Sequence, residues 1–288
     1  MGYGDRVTAS PARPARIPSR PVVGVLHPGA MGAAVGSALR PRAGAVIWAA
    51  AGRSRATSKR AELADLIGVP DVPALARRSN VIVSVCPPHA ARDVAAEVAA
   101  ALDPGLAGTG HGAPVYVDAN ADSPATVRAI GDLLGPDRVV DGAIIGPPAW
   151  EHGQTVLWLS GPAADEVADL FAGSPFAARV LGAELGTASA LKACFALQSK
   201  ALPAIWLEIA AAARAAGVEE ELREELGRTH VDYAGALAAA AAAAPRAWRF
   251  AGEMDEAADT MAALDLPDGF SRAAAEIYRR LADGRLSF

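Results

Sequence analysis

Short β-branched runs alternate with alanine-rich helical stretches from Pro21 to about Leu185, and then the strand signal stops. The runs are "VVGVL" (22–26), "AVIWA" (45–49), "VIVSV" (81–85), "VYVDA" (115–119), "RVVDGAII" (138–145), "TVLWLSG" (155–161) and "ARVLG" (178–182). Apolar strands separated by helices predict a parallel sheet covered on both faces, a doubly wound α/β architecture. Residues 187–216 read as one long helix ended by Gly217, with later breaks near Gly227, Pro245 and the "LPDGF" turn at 266–270. Residues 1–20 lack apolar periodicity and are rich in Pro, Arg and Ser, which predicts a disordered tail with no apolar core of a signal peptide. The expected division is thus a tail at 1–20, an α/β domain at 21–185 and an all-α domain at 186–288.

The 288 residues are ample for a buried core, and the net charge of -5 argues against a nucleic-acid partner. No apolar run approaches the ~20 residues needed to span a membrane. Cys86 and Cys194 have neither metal-ligand spacing nor a disulfide framework, so the expectation is a cytoplasmic protein without a metal site. Lysine occurs only at positions 59, 192 and 200, so each is informative.

The first strand runs into "HPGAMG". Gly29 and Gly32 keep the second and third positions of the dinucleotide fingerprint G-x-G-x-x-G, while His27 and Pro28 stand where the first glycine and its neighbour belong. The second glycine lets backbone approach a pyrophosphate, and the third lets the helix pack against the strand. A helix from Met31 then presents free amides to phosphate. His27, Pro28, Gly29, Ala30, Met31 and Gly32 are therefore cofactor-loop candidates. After the second strand, "AVIWAAAGRSRATSKR" holds no acid before Glu62 to bind ribose hydroxyls. It offers Arg53, Ser54 and Arg55, whose cationic and hydroxyl donors suit a 2′-phosphate, hence NADP(H) over NAD. The loops carrying Cys86 and Pro87, and Asn120, leave later strand ends and should line the same crevice.

These motifs resemble the superfamily of β-hydroxyacid dehydrogenases and 6-phosphogluconate dehydrogenase, to which imine reductases are related. The resemblance covers about 21–288 and implies a Rossmann domain followed by a helical substrate and dimerisation domain. The family's G-x-G-x-M-G appears as "HPGAMG", and its D-x-S-T-x-x-P as "DANADSP", with Asn120 and Ala121 at the Ser and Thr positions. Its "DAPVSGG" segment appears as "DGAIIGP", which keeps Asp141 and Gly146 but has Ile145 and Pro147 at Ser and Gly. Its interdomain-helix motif ends in Lys192, and Ala196 stands where the family has asparagine. "HPG", "IGPP" and "GEM" resemble a poorly characterised phosphogluconate-dehydrogenase-like subgroup.

The resemblance implies that Lys192 is the catalytic general acid, giving a proton to the alkoxide formed by hydride transfer, or general base in reverse. Asn120, Gly146, Pro147, Phe195 and Ser199 become substrate-pocket candidates beside it. Ile145, Pro147 and Ala196 cannot supply the family's carboxylate-binding hydrogen bonds, so a less polar pocket is expected, with Lys200 or Gln198 as substitute anion ligands. Trp248, Phe250, Met254 and Met261 read first as core or homodimer interface, with Trp248, Glu253 and Met254 as secondary pocket candidates. An ammonium beside a cationic imine is unfavourable, so Lys192 favours a carbonyl or alcohol substrate. An imine reductase is the alternative, and a non-catalytic NADP-binding sensor a second one.

Overall fold

The computed structural model describes residues 17–102, 113–286 and 288. Most of the expected tail, residues 1–16, lies outside them. Its end does not: Ile17 is buried in the core, and its amide donates to Glu166 Oε2 at 2.8 Å. The packed chain therefore includes residues ahead of Pro21.

Eight strands form one sheet in the order β3-β2-β1-β4-β5-β6-β7-β8. They are β1 (Val22–Val25), β2 (Ala45–Ala49), β3 (Ile67–Val69), β4 (Val81–Ser84), β5 (Val115–Asp118), β6 (Val139–Ile145), β7 (Thr155–Ser160) and β8 (Phe176–Gly182). The first six run parallel. The expectation of a parallel sheet fails at β7, which pairs antiparallel with β6, while β8 is parallel to β7. Only residues 146–154 link β6 to β7, and a parallel return needs a crossover of a dozen residues or more. The three-residue β3, with one buried side chain, carried no readable pattern.

Helices α1 (Ala30–Leu39), α2 (Arg55–Leu63), α3 (Val72–Arg78), α4 (Pro88–Ala101), α5 (Pro124–Leu134) and α6 (Ala164–Leu170) join the strands. They cover two apolar layers, one around Val25, Val35 and Leu159, the other around Leu75, Ile82 and Ile130. Side-chain caps start three of them: Ser54 accepts from the Thr57 amide, Asp71 from that of Ala74 and Ser123 from that of Thr126.

After Gly182 the chain is helical: α7 (Thr187–Ala196), α8 (Leu202–Ala216), α9 (Glu219–Arg228), α10 (Tyr233–Ala241), α11 (Ala247–Ala263) and α12 (Gly269–Ala282). The expected single helix over 187–216 is interrupted by a π-helical stretch, Leu197–Ala201, between α7 and α8. Pro203 explains it: proline lacks the amide that would bond to the carbonyl of Ser199, and its ring crowds that carbonyl. Met254, Met261, Leu207 and Tyr278 build the helical core, whereas Trp248 is 59% exposed. Among the described residues no helix is long and apolar enough to cross a membrane.

Candidate active site

A cavity of about 700 Å³ opens where the carboxyl ends of the parallel strands face α7, the π stretch and α11. Ligands gather at this edge of a doubly wound sheet because the strand order reverses there. The residues singled out from the sequence that line it include Gly29, Ala30, Met31, Gly32, Cys86, Pro87, Asn120, Gly146, Pro147, Lys192, Phe195 and Ser199, together with Lys200, Trp248, Phe250 and Glu253.

On the sheet side, α1 starts at Gly29 without a side-chain cap. A Cβ on Gly29 would meet nothing within 4 Å, whereas one on Gly32 would stand 2.1 Å from the His27 carbonyl oxygen. Gly29 thus leaves room for a ligand against the backbone, and Gly32 allows the tight turn. His27, Pro28, Arg53, Ser54 and Arg55 do not line this cavity. They lie just past β1 and β2, on the α2 side of the glycine loop. The Ser54 hydroxyl is committed to capping α2. His27 Nδ1 and Arg53 Nε are buried without hydrogen-bond partners. Burial, and then the Arg53 guanidinium, hold the His27 imidazole at about 4, so it is neutral near pH 7.

Asn120 lines the cavity, but its side chain is used by the fold. Its Oδ1 accepts from the Cys86 amide at 2.6 Å, and its Nδ2 donates to Asp118 Oδ2 at 3.0 Å and Ser84 Oγ at 3.3 Å. It ties the loop after β5 to the loop after β4. Gly146 has φ +133, and a Cβ there would meet Gln154 O and Thr155 Oγ1 at 2.5 Å. Thr155 Oγ1 donates to the Pro147 carbonyl at 2.6 Å, pinning the Gly146–Pro147 loop from behind. Ser199 Oγ donates to the Phe195 carbonyl.

Lys192 projects from α7, whose first turn is held by Asp141. That buried carboxylate accepts from the Ser189 amide at 2.9 Å, from Ser189 Oγ at 2.6 Å and from Ser160 Oγ at 3.2 Å. Lys192 Nζ donates to the Asn120 carbonyl at 3.1 Å. Burial draws the ammonium down to about 8; Glu253 opposes this, while Lys200 and Arg249 add to it.

Around Lys192 stand Glu253, a secondary pocket candidate from the sequence, and Asp122, Arg246 and Arg249, which the sequence did not single out. Glu253 is 4% exposed; its Oε2 pairs with Lys200 Nζ at 2.9 Å and its Oε1 accepts from Arg249 Nε at 2.6 Å. Burial alone would raise its carboxyl, but Lys200, Lys192 and Arg249 outweigh that and hold it at about 2. Asp122 contrasts with it. It is buried beside Lys192, with neither oxygen hydrogen-bonded, at a void of about 10 Å³ that Lys192 and Glu256 also line. Burial, then Asp118 and Glu256, push its carboxyl up to about 10, so it is a neutral acid near pH 7. Arg246 and Arg249 complete the helical side of the cavity. The spacing of Arg246, Arg249, Phe250 and Glu253 around the start of α11 was the signal that could have found them.

Residues 213–281 match a family described as "Domain of unknown function (DUF1932)". An uncharacterized 28.5 kDa protein in the 7S RNA 5′ region of Methanothermus fervidus is 31% identical over 179 residues, 62% of this chain and 65% of that protein. The alignment thus spans just under two thirds of the relative's length. Three solved structures are similar over nearly the whole fold. The conserved protein MTH1747, of unknown function and reported as structurally similar to 3-hydroxyacid dehydrogenases, is 27% identical over 91% of this chain and 97% of that one, with a TM-score of 0.63. A Mycobacterium tuberculosis 3-hydroxyisobutyrate dehydrogenase with L-serine is 16% identical over 93% and 95%, with a TM-score of 0.66. An imine reductase from Myxococcus stipitatus in complex with NADP+ is 19% identical over 92% and 95%, with a TM-score of 0.53. With its sheet order, helical second half and glycine loop, the chain shares the fold of these solved structures.

Proposed function

We propose that this protein is an NADPH-dependent oxidoreductase acting on a carbonyl or alcohol, with Lys192 as general acid in reduction and general base in oxidation. The observation that carries the reading is the Lys192 ammonium, drawn down to about 8, on the wall of the cavity that the glycine loop also lines. Proton transfer in either direction is easiest when the group's affinity lies near the working pH.

The residues fit the cofactor. Gly29 has open space for a pyrophosphate, the uncapped amides of α1 face it, and the unpartnered Arg53 Nε and His27 Nδ1 lie past β1 and β2, toward the adenosine end. Bound nicotinamide supplies or accepts the hydride. Two of the structural neighbours are an imine reductase in complex with NADP+ and a reductive aminase in complex with NADPH. In reduction, Lys192 gives its proton to the carbonyl oxygen as negative charge develops there, leaving a neutral amine and an alcohol. Its bond to the Asn120 carbonyl orients the nitrogen before and after transfer. Asp141 acts through the helix: it fixes the first turn of α7 and so the reach of Lys192. Pro87 and Pro88 contribute no amide donors to the wall.

The imine alternative is weakened by charge. Lys192, Lys200, Arg246 and Arg249 around one cavity disfavour a cationic iminium. Assembly as a homodimer through the helical half belongs to the same proposal, since Leu202, Ile205 and Trp248 expose apolar surface there. Light scattering checks it, and a monomer would refute it.

The decisive experiment pairs Lys192→Ala with cofactor titration. NADPH binding should persist while turnover of an aldehyde and ketone panel, followed by NADPH absorbance, drops about 10²–10⁴-fold. Intact turnover would overturn the role of Lys192. A wild type that binds NADPH and turns over nothing would favour the sensor.

A further inference from the structure

Reduction leaves Lys192 as a neutral amine, which must regain a proton before the next turnover. Its hydrogen-bond partner, the Asn120 carbonyl, can only accept. Most of the acids nearby cannot supply the proton either. Both oxygens of Asp118 accept from Asn120, at 3.2 and 3.0 Å. Glu253 is ionised between Lys200 and Arg249. Lys200 gives up a proton only by leaving that buried carboxylate against a neutral amine. Burial raises the Cys86 thiol and the Tyr116 hydroxyl, so both hold their protons too firmly.

Asp122 is different. It is 3% exposed, and neither of its oxygens has a hydrogen-bond partner. A buried polar atom without a partner is uncommon in a folded chain and points to a water, an ion or a chemical role. The void beside it, of about 10 Å³, is near the smallest that holds one water. Asp122, Lys192 and Glu256 give that space polar partners, and the short side chains of Ala193, Ala196 and Ala257 keep it open. Lys192, Lys200 and Glu253 line both the void and the main cavity, so they form the boundary between the two. Asp122 and Glu256 line the void and not the main cavity, so they meet Lys192 from the side away from the substrate. Glu256 Oε2 accepts from the Ser123 amide at 2.7 Å and from Thr126 Oγ1 at 3.0 Å, which clamps α11 to the start of α5 beside Asp122. Glu256 is half-buried and so links the void to solvent.

We infer that Asp122, through one water held in this void, returns a proton to Lys192 after each reduction and takes one away after each oxidation. The inference rests on the proposed reaction for the proton that Lys192 loses. In reduction, a water O–H bond breaks as the lone pair of Nζ forms a new N–H bond. The Asp122 O–H bond breaks in turn, and its proton restores the water. Lys192 is again an ammonium and Asp122 is a carboxylate, which is refilled through the same water from the Glu256 side. One solvent proton is thus consumed per carbonyl reduced, as hydride transfer from NADPH requires, and oxidation runs the chain backwards. Burial, then Asp118 and Glu256, favour the protonated form of Asp122, and Lys192 opposes them. Its proton affinity, about 10, lies above that of Lys192, about 8, so Asp122 is loaded when Lys192 has given its proton up. The return is uphill by about a hundredfold and is drawn forward by the solvent proton that refills Asp122. Asp122 acts through Lys192 and not on the substrate, so it is a relay residue.

Asp122→Asn tests the relay, because the amide keeps the size and neutrality of the acid but has no proton to release. Reduction of the aldehyde and ketone panel by NADPH should then show a burst. The first turnover, which uses the proton already on Lys192, should stay within about twofold of wild type, while steady-state kcat falls about tenfold or more. KM and NADPH affinity should stay near the wild-type values. A residue that only supported the fold would slow the first turnover with the rest. Ala196→Val, which fills the void and leaves every titrating group in place, should give the same burst. A second measurement needs no turnover. The chain has lysine only at 59, 192 and 200, so isotope-labelled lysine gives few NMR signals. With NADP+ bound, exchange of the Lys192 Nζ protons with water should slow about tenfold or more in both variants. Unchanged steady-state kcat in Asp122→Asn, or unchanged exchange in either variant, overturns the relay. If no carbonyl compound is turned over but exchange slows in both variants, the reaction assignment fails and the relay stands.

Discussion

The sheet side of the cavity offers backbone amides and neutral side chains, whereas the helical side offers four cations around one carboxylate. On the sheet side, burial pushes the Cys86 thiol up to about 12, so it carries no charge near pH 7. Recognition there depends on space at Gly29 and on the dipole of α1, which act on any phosphate that fits. On the helical side it depends on side-chain charge, and burial sharpens it because screening is weak away from solvent. The first arrangement is tied to backbone shape and tolerates few changes. The second is assembled from side chains and can be retuned one residue at a time, so substrate choice is the more adaptable of the two.

The largest effect should come from removing the carboxylate at the centre of the charged side. Glu253→Ala strands Lys200 and Arg249 and should cost about 3–5 kcal/mol in chemical denaturation. Glu253 is held at about 2, below its ordinary 4.5, so its contribution is present above pH 4.5 and lost as pH falls toward 2. The variant should lack that acid-side loss; a change below 1 kcal/mol would mean that the charged side is not organised around Glu253.

A middling effect belongs to the sheet side. Arg53→Ala should weaken NADPH by roughly tenfold, about 1.4 kcal/mol, and leave NADH unchanged. Fluorescence titration of the two cofactors checks it, and parallel losses would show that Arg53 does not read the 2′-phosphate.

The smallest effect concerns Asp122, the second buried carboxyl beside Lys192. Its affinity for a proton is raised in the fold, so between about pH 3.8 and 10 the native chain keeps a proton that the unfolded chain releases. Stability therefore falls as pH rises through this window. Asp122→Asn should match wild type near pH 3.5 and gain on it steadily as pH rises to 8–9, because it holds no proton that the unfolded chain would release. Parallel stability curves across that range would show that Asp122 is ionised and paired after all.

The glycine loop was legible because its signal is local: strand, turn and helix start lie within eleven residues, 22–32. Lys192 was legible for the same reason, through the motif that opens its helix. The reversal at β7 was readable in principle, since the link at 146–154 is too short for a crossover. Of the charged cluster, Lys200 and Glu253 were singled out one by one, but their pairing and the two arginines were not, because Lys200 comes from the π stretch while Arg249 and Glu253 come from α11, some fifty positions later. No spacing rule joins them. Asn120 was misjudged in role: a polar residue at a strand end looks free in sequence, but here the Cys86 amide and Asp118 claim it.

By itself the sequence determined the strand–helix alternation, the two halves of the chain, the glycine loop and the lysine near the start of its helix, because each is written in neighbouring residues through periodicity, turn chemistry and motif spacing. Only the tertiary structure decided which carboxyl near Lys192 is ionised and which is neutral, and that the cations converge at one end of the cavity. Burial and the distance between charges set both, and these are properties of packed segments that lie far apart in the chain.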